Sequence, residues 1–198
     1  VTTSSSVRTP QQGAAVWRTA DVQADTSWCV ELTDAQRNEL VATTRAAAAA
    51  GVTVATVTSD RFVLPALGAQ VVDWSRELQA GRGFLLLRRF PIDVLTEQEI
   101  ELAYAGLGSH FGTLVGQNKE AELLTHVRDE RLPPAAGKVR LYRTRERQDF
   151  HTDGADIIGL LCLHRARSGG ESRLVSSWTL YNEILHTRPD LLEALYEP

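Results

Sequence analysis

Apolar positions fall at helical spacing through the first half of the chain and in short, turn-bounded runs through the second. Thr33 with Gln36 three positions on makes a capping box, good helix formers run through Arg45 and Ala46–Ala50, and Gly51 is a stop, so a first helix is predicted over this stretch. Its alanine-rich face suits close helix packing. VTVATVTSD (52–60) alternates with period two and reads as a strand. A second helix is predicted over 69–80, ended by Gly81-Arg82-Gly83. FLLLRRF (84–90) is a short β run between Gly83 and Pro91. Thr96 with Glu99 forms another capping box and opens a helix over 97–111 that Gly112 closes. Strand patterns follow at 113–117, 121–129, 139–145, 156–166 and 171–177. Two short helices, at 178–187 and 189–196, are separated by Pro189. Helices first, then many short strands with Gly and Pro turns, predict an α+β domain built on an antiparallel sandwich or barrel.

Chemistry concentrates in residues 150–176, FHTDGADIIGLLCLHRARSGGESRLVS. Residues two apart in a strand point to one face, so His151 and Asp153 can present an imidazole and a carboxylate to one ion. That is two thirds of the 2-His-1-carboxylate triad, which holds Fe(II) by one face and leaves the other open for a co-substrate and dioxygen. Alone the pair is weak evidence. With five histidines in the chain, some His has an acidic residue two positions on with roughly even odds. The bland alternative is a polar strand end turning at Gly154.

The surrounding stretch decides between them. A His-x-Asp pair, an apolar strand and then Gly169-Gly170-Glu171-Ser172 resembles the TauD/TfdA (taurine dioxygenase) and clavaminate synthase-like family of Fe(II)/2-oxoglutarate oxygenases. The likeness extends to GRGFLLLRRFPID (81–93), LGSHFGTLVGQN (107–118) and SSWTLYNEILHTRPDLLEALYEP (176–198), so it covers about residues 68–198.

The resemblance implies a double-stranded β-helix (jelly-roll) core with flanking helices, incomplete in this chain. It implies His151 and Asp153 as iron ligands, and Ser172 as donor of a charge-assisted hydrogen bond to a 2-oxoglutarate carboxylate. A plain hairpin turn is the alternative for Ser172. Gln117 and Asn118 lie where relatives line the substrate pocket, though a surface turn accounts for them nearly as well. Asp156 and Trp178 are further pocket candidates. Halogenating members have a small residue in place of the carboxylate, so Asp153 favours hydroxylation or desaturation. The family's distal histidine and its 2-oxoglutarate-anchoring arginine follow the His-x-Asp pair at long range, so the third ligand is expected beyond residue 198, in a C-terminal part that this chain lacks. His164 and His186 are the weaker candidates within it, and His110 and His126 read as ordinary histidines.

Composition narrows the rest. A net charge of −4 disfavours nucleic acid and anionic membranes as partners. No apolar run reaches the roughly 20 residues of a membrane span, and the polar start has no signal-peptide plan, so a cytoplasmic location is expected. Arg143, Arg145 and Arg147 alternate along one face, as a solvated hairpin or as an attractor of an anionic substrate. Cys29 and Cys162 make no disulfide framework, and Cys162, within LLCL, is expected to be buried. Residues 1–13 are expected as a disordered or loosely attached arm, and 14–198 as the N-terminal portion of a single oxygenase domain. The expected partners are a small-molecule substrate, 2-oxoglutarate and dioxygen, with a homo-oligomer left open. The substrate class implied is an amino acid, a peptide-like compound or another secondary metabolite. The rival readings are a cupin-like metal-binding protein and a non-catalytic relative acting as a ligand-binding module.

Overall fold

A computed structural model describes residues 8–131 and 141–196. Among these residues run α1 (Thr19–Ala24), β1 (Cys29–Glu31), α2 (Asp34–Ala49), α3 (Leu67–Ala80), β2 (Leu86–Arg88), α4 (Glu97–Gly108), α5 (Ser177–Thr187) and α6 (Pro189–Ala194), with a 3-10 turn at Leu141–Arg143. The chain divides into two compact units. Residues 1–33, 69–90 and 169–198 form the first, and 34–68 with 91–168 form the second. No helix among the described residues is long and apolar enough to cross a membrane.

The first unit is organised by a parallel pairing of β1 with β2, in the register Cys29 to Leu86, Val30 to Leu87 and Glu31 to Arg88. β2 stops at Arg88, before Arg89, whose φ of 64° takes the backbone out of the extended region. Beside the pair, Phe84 meets Trp17 at 5.1 Å in an edge-on contact and Trp28 at 5.6 Å. Each indole N–H is satisfied by a carbonyl, Trp17 donating to Arg82 at 2.9 Å and Trp28 to Val22 at 3.1 Å. Arg82 gathers three side chains at once. Its guanidinium donates to Glu77 at 2.6 Å, to Ser27 Oγ at 2.6 Å and to Asp25 at 3.2 Å. The Ser27 amide, more than the nearby Arg82, holds the Asp25 carboxyl below its ordinary value. Leu32, Val71, Trp74 and Leu192 are buried.

The second unit is a helical pair. Leu40, Thr44 and Ala47 of α2 and Leu102, Ala103, Ala105 and Leu107 of α4 are buried, as is Phe62 between them in sequence. Gly106 is required where it stands, because a Cβ there would lie 2.5 Å from the Phe62 ring. Thr44 returns its hydroxyl to the Leu40 carbonyl at 2.7 Å, so a buried polar group stays satisfied. The predicted capping box of α4 is present: Thr96 accepts from the Glu99 amide at 3.3 Å, and the Glu99 carboxylate accepts from the Thr96 amide at 2.8 Å. The Glu39 carboxylate accepts from the amides of Ala66 and Leu67, at 2.7 and 2.9 Å, at the start of α3.

Several expectations are corrected. Residues 52–60 form turns rather than a strand, tied by Thr56 N–H to the Thr53 carbonyl at 3.0 Å, while Val52 and Val57 are buried. Of the alanine run at 46–50 only Ala47 is buried. Residues 113–117, 121–129, 156–166 and 171–175 carry no regular strand, and Ser177 already belongs to α5. For 139–145, Val139 and Arg140 lie outside the described residues, and 141–143 make the 3-10 turn. A strand must satisfy its amides and carbonyls on a neighbouring strand. Among the described residues, Gln117 N–H to Glu122 O (2.7 Å), Arg128 N–H to Tyr142 O (3.2 Å) and Glu130 N–H to Arg143 O (3.0 Å) are isolated bonds that build no ladder. The described residues are therefore mainly helical with one small parallel sheet, and they do not contain the expected double-stranded β-helix. Residues 1–7 of the expected arm lie outside the described residues, whereas Gln11 is bonded to Asn182.

Candidate metal centre

His151 and Asp153 lie in the second unit, in a stretch without regular secondary structure that bends at 154–156. The structure brings them together, with His151 Nε2 at 3.9 Å from Asp153 Oδ1 and both side chains about half exposed. His151 Nδ1 is 2.8 Å from the carbonyl oxygen of Asp149. A carbonyl only accepts, so in the neutral imidazole Nδ1 carries the proton and Nε2 keeps its lone pair. A hydrogen bond of this kind on the second nitrogen is what orients a metal-ligating histidine. One imidazole nitrogen and one carboxylate fit a borderline ion such as Fe(II). No third His, Cys, Asp or Glu joins them in a ligand cluster among the described residues.

The other candidates are placed as follows. Ser172 is exposed and belongs to the first unit, just after Gly169 and Gly170, which both adopt positive φ (72° and 79°). Asn118 organises a turn: its Oδ1 accepts from the amides of Glu120 and Glu122, each at 3.1 Å, and its Nδ2 donates to the Glu122 carboxylate at 2.5 Å. Gln117 donates its side-chain amide to Val115 O at 2.8 Å. Asp156 is exposed, as are Trp178, His164 and His186. Cys162 is exposed too, contrary to expectation, because among the described residues its stretch belongs to no helix or sheet. Arg143 is occupied by Glu130, at 2.9 and 2.5 Å, and that hydrogen bond holds the Glu130 carboxyl below its ordinary value.

Two features escaped the sequence. Tyr104 of α4 abuts the stretch that follows Asp153: a Cβ at Gly159 would come 2.4 Å from the Tyr104 hydroxyl oxygen, and burial pushes the phenol up. A cleft of about 380 Å³ is lined by Val54, Glu101, Glu122, Leu123 and His126, and His126 Nε2 lies 3.4 Å from the Glu101 carboxylate. The Glu101–His126 approach joins a helix to a distant loop, so no spacing along the chain announces it.

Comparison with known proteins bears on this pair. The family model described as taurine catabolism dioxygenase TauD, TfdA family matches residues 44–198. The chain belongs to the TauD/TfdA family. It is 31% identical to FR-33289 synthase of Streptomyces rubellomurinus over 191 residues, which is 96% of this chain and 56% of that protein. It is 32% identical to a taurine hydroxylase-like protein of Stachybotrys chartarum over 145 residues, 70% of this chain and 38% of that one. The chain thus spans about half the length, or less, of these relatives. TauD/TfdA proteins are Fe(II)/2-oxoglutarate dioxygenases with a double-stranded β-helix fold, acting on small molecules.

Proposed function

We propose that this chain carries the iron-holding face of an Fe(II)/2-oxoglutarate-dependent dioxygenase that hydroxylates or desaturates an unactivated C–H bond of a small molecule. The observation that carries the reading is the His151–Asp153 pair, 3.9 Å apart, with Nε2 left as the free imidazole donor. His151 and Asp153 would hold the metal, the carboxylate supplying the anionic ligand. When bound, iron with 2-oxoglutarate and dioxygen supplies the oxidising power for C–H cleavage, 2-oxoglutarate leaving as succinate and CO2.

The chain's own groups bind and orient. The Ser172 hydroxyl donates to a carboxylate of 2-oxoglutarate. Gln117 and Asp156 offer an exposed amide and carboxylate to the substrate, and Asn118 serves by holding the 117–122 turn. The reading takes the third ligand, a histidine, from beyond residue 198. The family description and the relatives' names support a small substrate of the amino acid or secondary-metabolite kind.

The experiment is Fe(II) titration and succinate release with 2-oxoglutarate, in the full-length wild-type protein and in its Asp153→Ala variant. The wild type is expected to bind Fe(II) and to form succinate only with the metal present. Asp153→Ala is expected to lose both. Unchanged iron affinity in Asp153→Ala, or equal succinate with a chelator, would overturn the reading.

A further inference from the structure

One face of α5 is a receptor for the chain's own N-terminal segment. Ser176, Thr179, Asn182 and Glu183 recur at the three- and four-residue spacing that lines one side of a helix, and each is joined to residues 11–18. Asn182 exchanges two hydrogen bonds with the backbone of Gln11, accepting from its amide at 2.7 Å and donating to its carbonyl at 2.9 Å. Ser176 Oγ donates to Ala15 O at 2.5 Å, and Thr179 Oγ1 donates to Trp17 O at 2.8 Å. Arg18 pairs with Glu183 at 2.6 Å. The segment reverses at Gly13, whose φ of 110° only glycine adopts freely. Arg8 lies over the Tyr196 ring at 3.6 Å.

Most of these bonds go to main-chain atoms of the segment, so they fix its path rather than its side chains. The same Ser176 hydroxyl that holds Ala15 also accepts from the Thr179 amide at 3.0 Å and caps α5. It is buried, and it stands four positions after Ser172 on a stretch with no ladder or helix of its own. We infer that residues 8–18 are a strap that anchors the start of α5 and thereby positions Ser172 for the carboxylate of 2-oxoglutarate. Asn182 and Thr179 are then positioning residues. The inference rests on the reading of Ser172 given above. The iron pair lies in the other compact unit, so loosening the strap is expected to leave metal binding alone.

The test is the double variant Thr179→Val/Asn182→Ala, which removes the three hydrogen bonds to Gln11 and Trp17 while leaving the α5 cap. In the metal-free protein, trypsin cleavage after Arg173 is expected to quicken about three- to tenfold, because cleavage follows the population of the opened segment. In the loaded protein the apparent KM for 2-oxoglutarate is expected to rise about two- to threefold, as the fraction of chains with Ser172 held in place falls. The kcat at saturation and the Fe(II) affinity are expected to stay unchanged. Thr179→Ser, which keeps the hydroxyl, is expected to behave as wild type. Unchanged cleavage in the double variant overturns the strap. Faster cleavage with an unchanged KM, while Ser172→Ala raises KM, overturns the positioning role alone. If Ser172→Ala itself leaves KM unchanged, the assignment of Ser172 is what fails, and the positioning role falls with it.

Discussion

The α2–α4 pair and the stretch from Ile157 to Val175 are both rich in apolar residues, yet they end in opposite conditions. In the pair, Leu40, Phe62 and Ala103 are wholly removed from solvent. In the stretch, Leu160 is 74% and Leu174 62% exposed. A helix satisfies its backbone within itself and needs only a neighbour for one face. An extended segment must find both its hydrogen-bond partners and its packing layer elsewhere. Apolar side chains therefore make a core in one place and an open apolar surface in the other.

The largest expected effect lies on the packed side. Phe62→Ala empties the space over Gly106 and is expected to cost about 3–5 kcal/mol, the usual range for a buried aromatic. Chemical denaturation of both proteins measures it. A loss near zero would mean that the ring is not part of the core, and the contrast would collapse.

A smaller effect belongs to the helix end. Thr96→Ala removes the cap of α4 and is expected to cost about 1 kcal/mol. Its partner Glu99 has its carboxyl held below the ordinary value of 4.5, chiefly by the Thr96 amide and, with smaller effect, by Arg45. A depressed carboxyl stabilises the fold above its unfolded-state value, and that contribution is lost as pH falls through the lower folded-state value. The stability gap between wild type and Glu99→Gln is therefore expected to be flat at neutral pH and to close in acid below 4.5. A gap that widened in acid would reverse the sign and refute the capping assignment.

The smallest effect sharpens the other side. Leu160→Ser is expected to change stability by less than about 0.5 kcal/mol, as for an exposed position, while weakening the binding of a dye that reports open apolar surface. A cost of about 2 kcal/mol or more would show that Leu160 is packed after all.

The helices were legible because their signals are local. Thr96 and Glu99 announce α4 from three positions apart, and α5 and α6 fall either side of Pro189 as the pattern predicts. The short α1 (TADVQA) and the three residues of β1 carry too little periodicity to stand out. β1 also depends on a partner 57 positions away, as Cys29 pairs with Leu86. The expected strands after residue 112 rest on short, turn-bounded apolar runs, which record a tendency to extend but not the presence of a neighbour. At the candidate site, the His151–Asp153 proximity was legible because it spans two positions. The Asp149 carbonyl on Nδ1 and the approach of Tyr104 to Gly159 were not, since both depend on how the backbone turns.

The bonds between residues 11–18 and α5 join positions 161 to 171 apart in the chain. During synthesis, at about 5–20 residues per second, α5 is made roughly 10–30 s after its partner segment. Throughout that interval the carbonyls of Gln11, Ala15 and Trp17 are hydrated, and the aromatic face of Trp17 waits on Phe84 for the first part of it. The first unit, assembled from three separated pieces of chain, therefore closes only after the contiguous turns of α2 have had time to form.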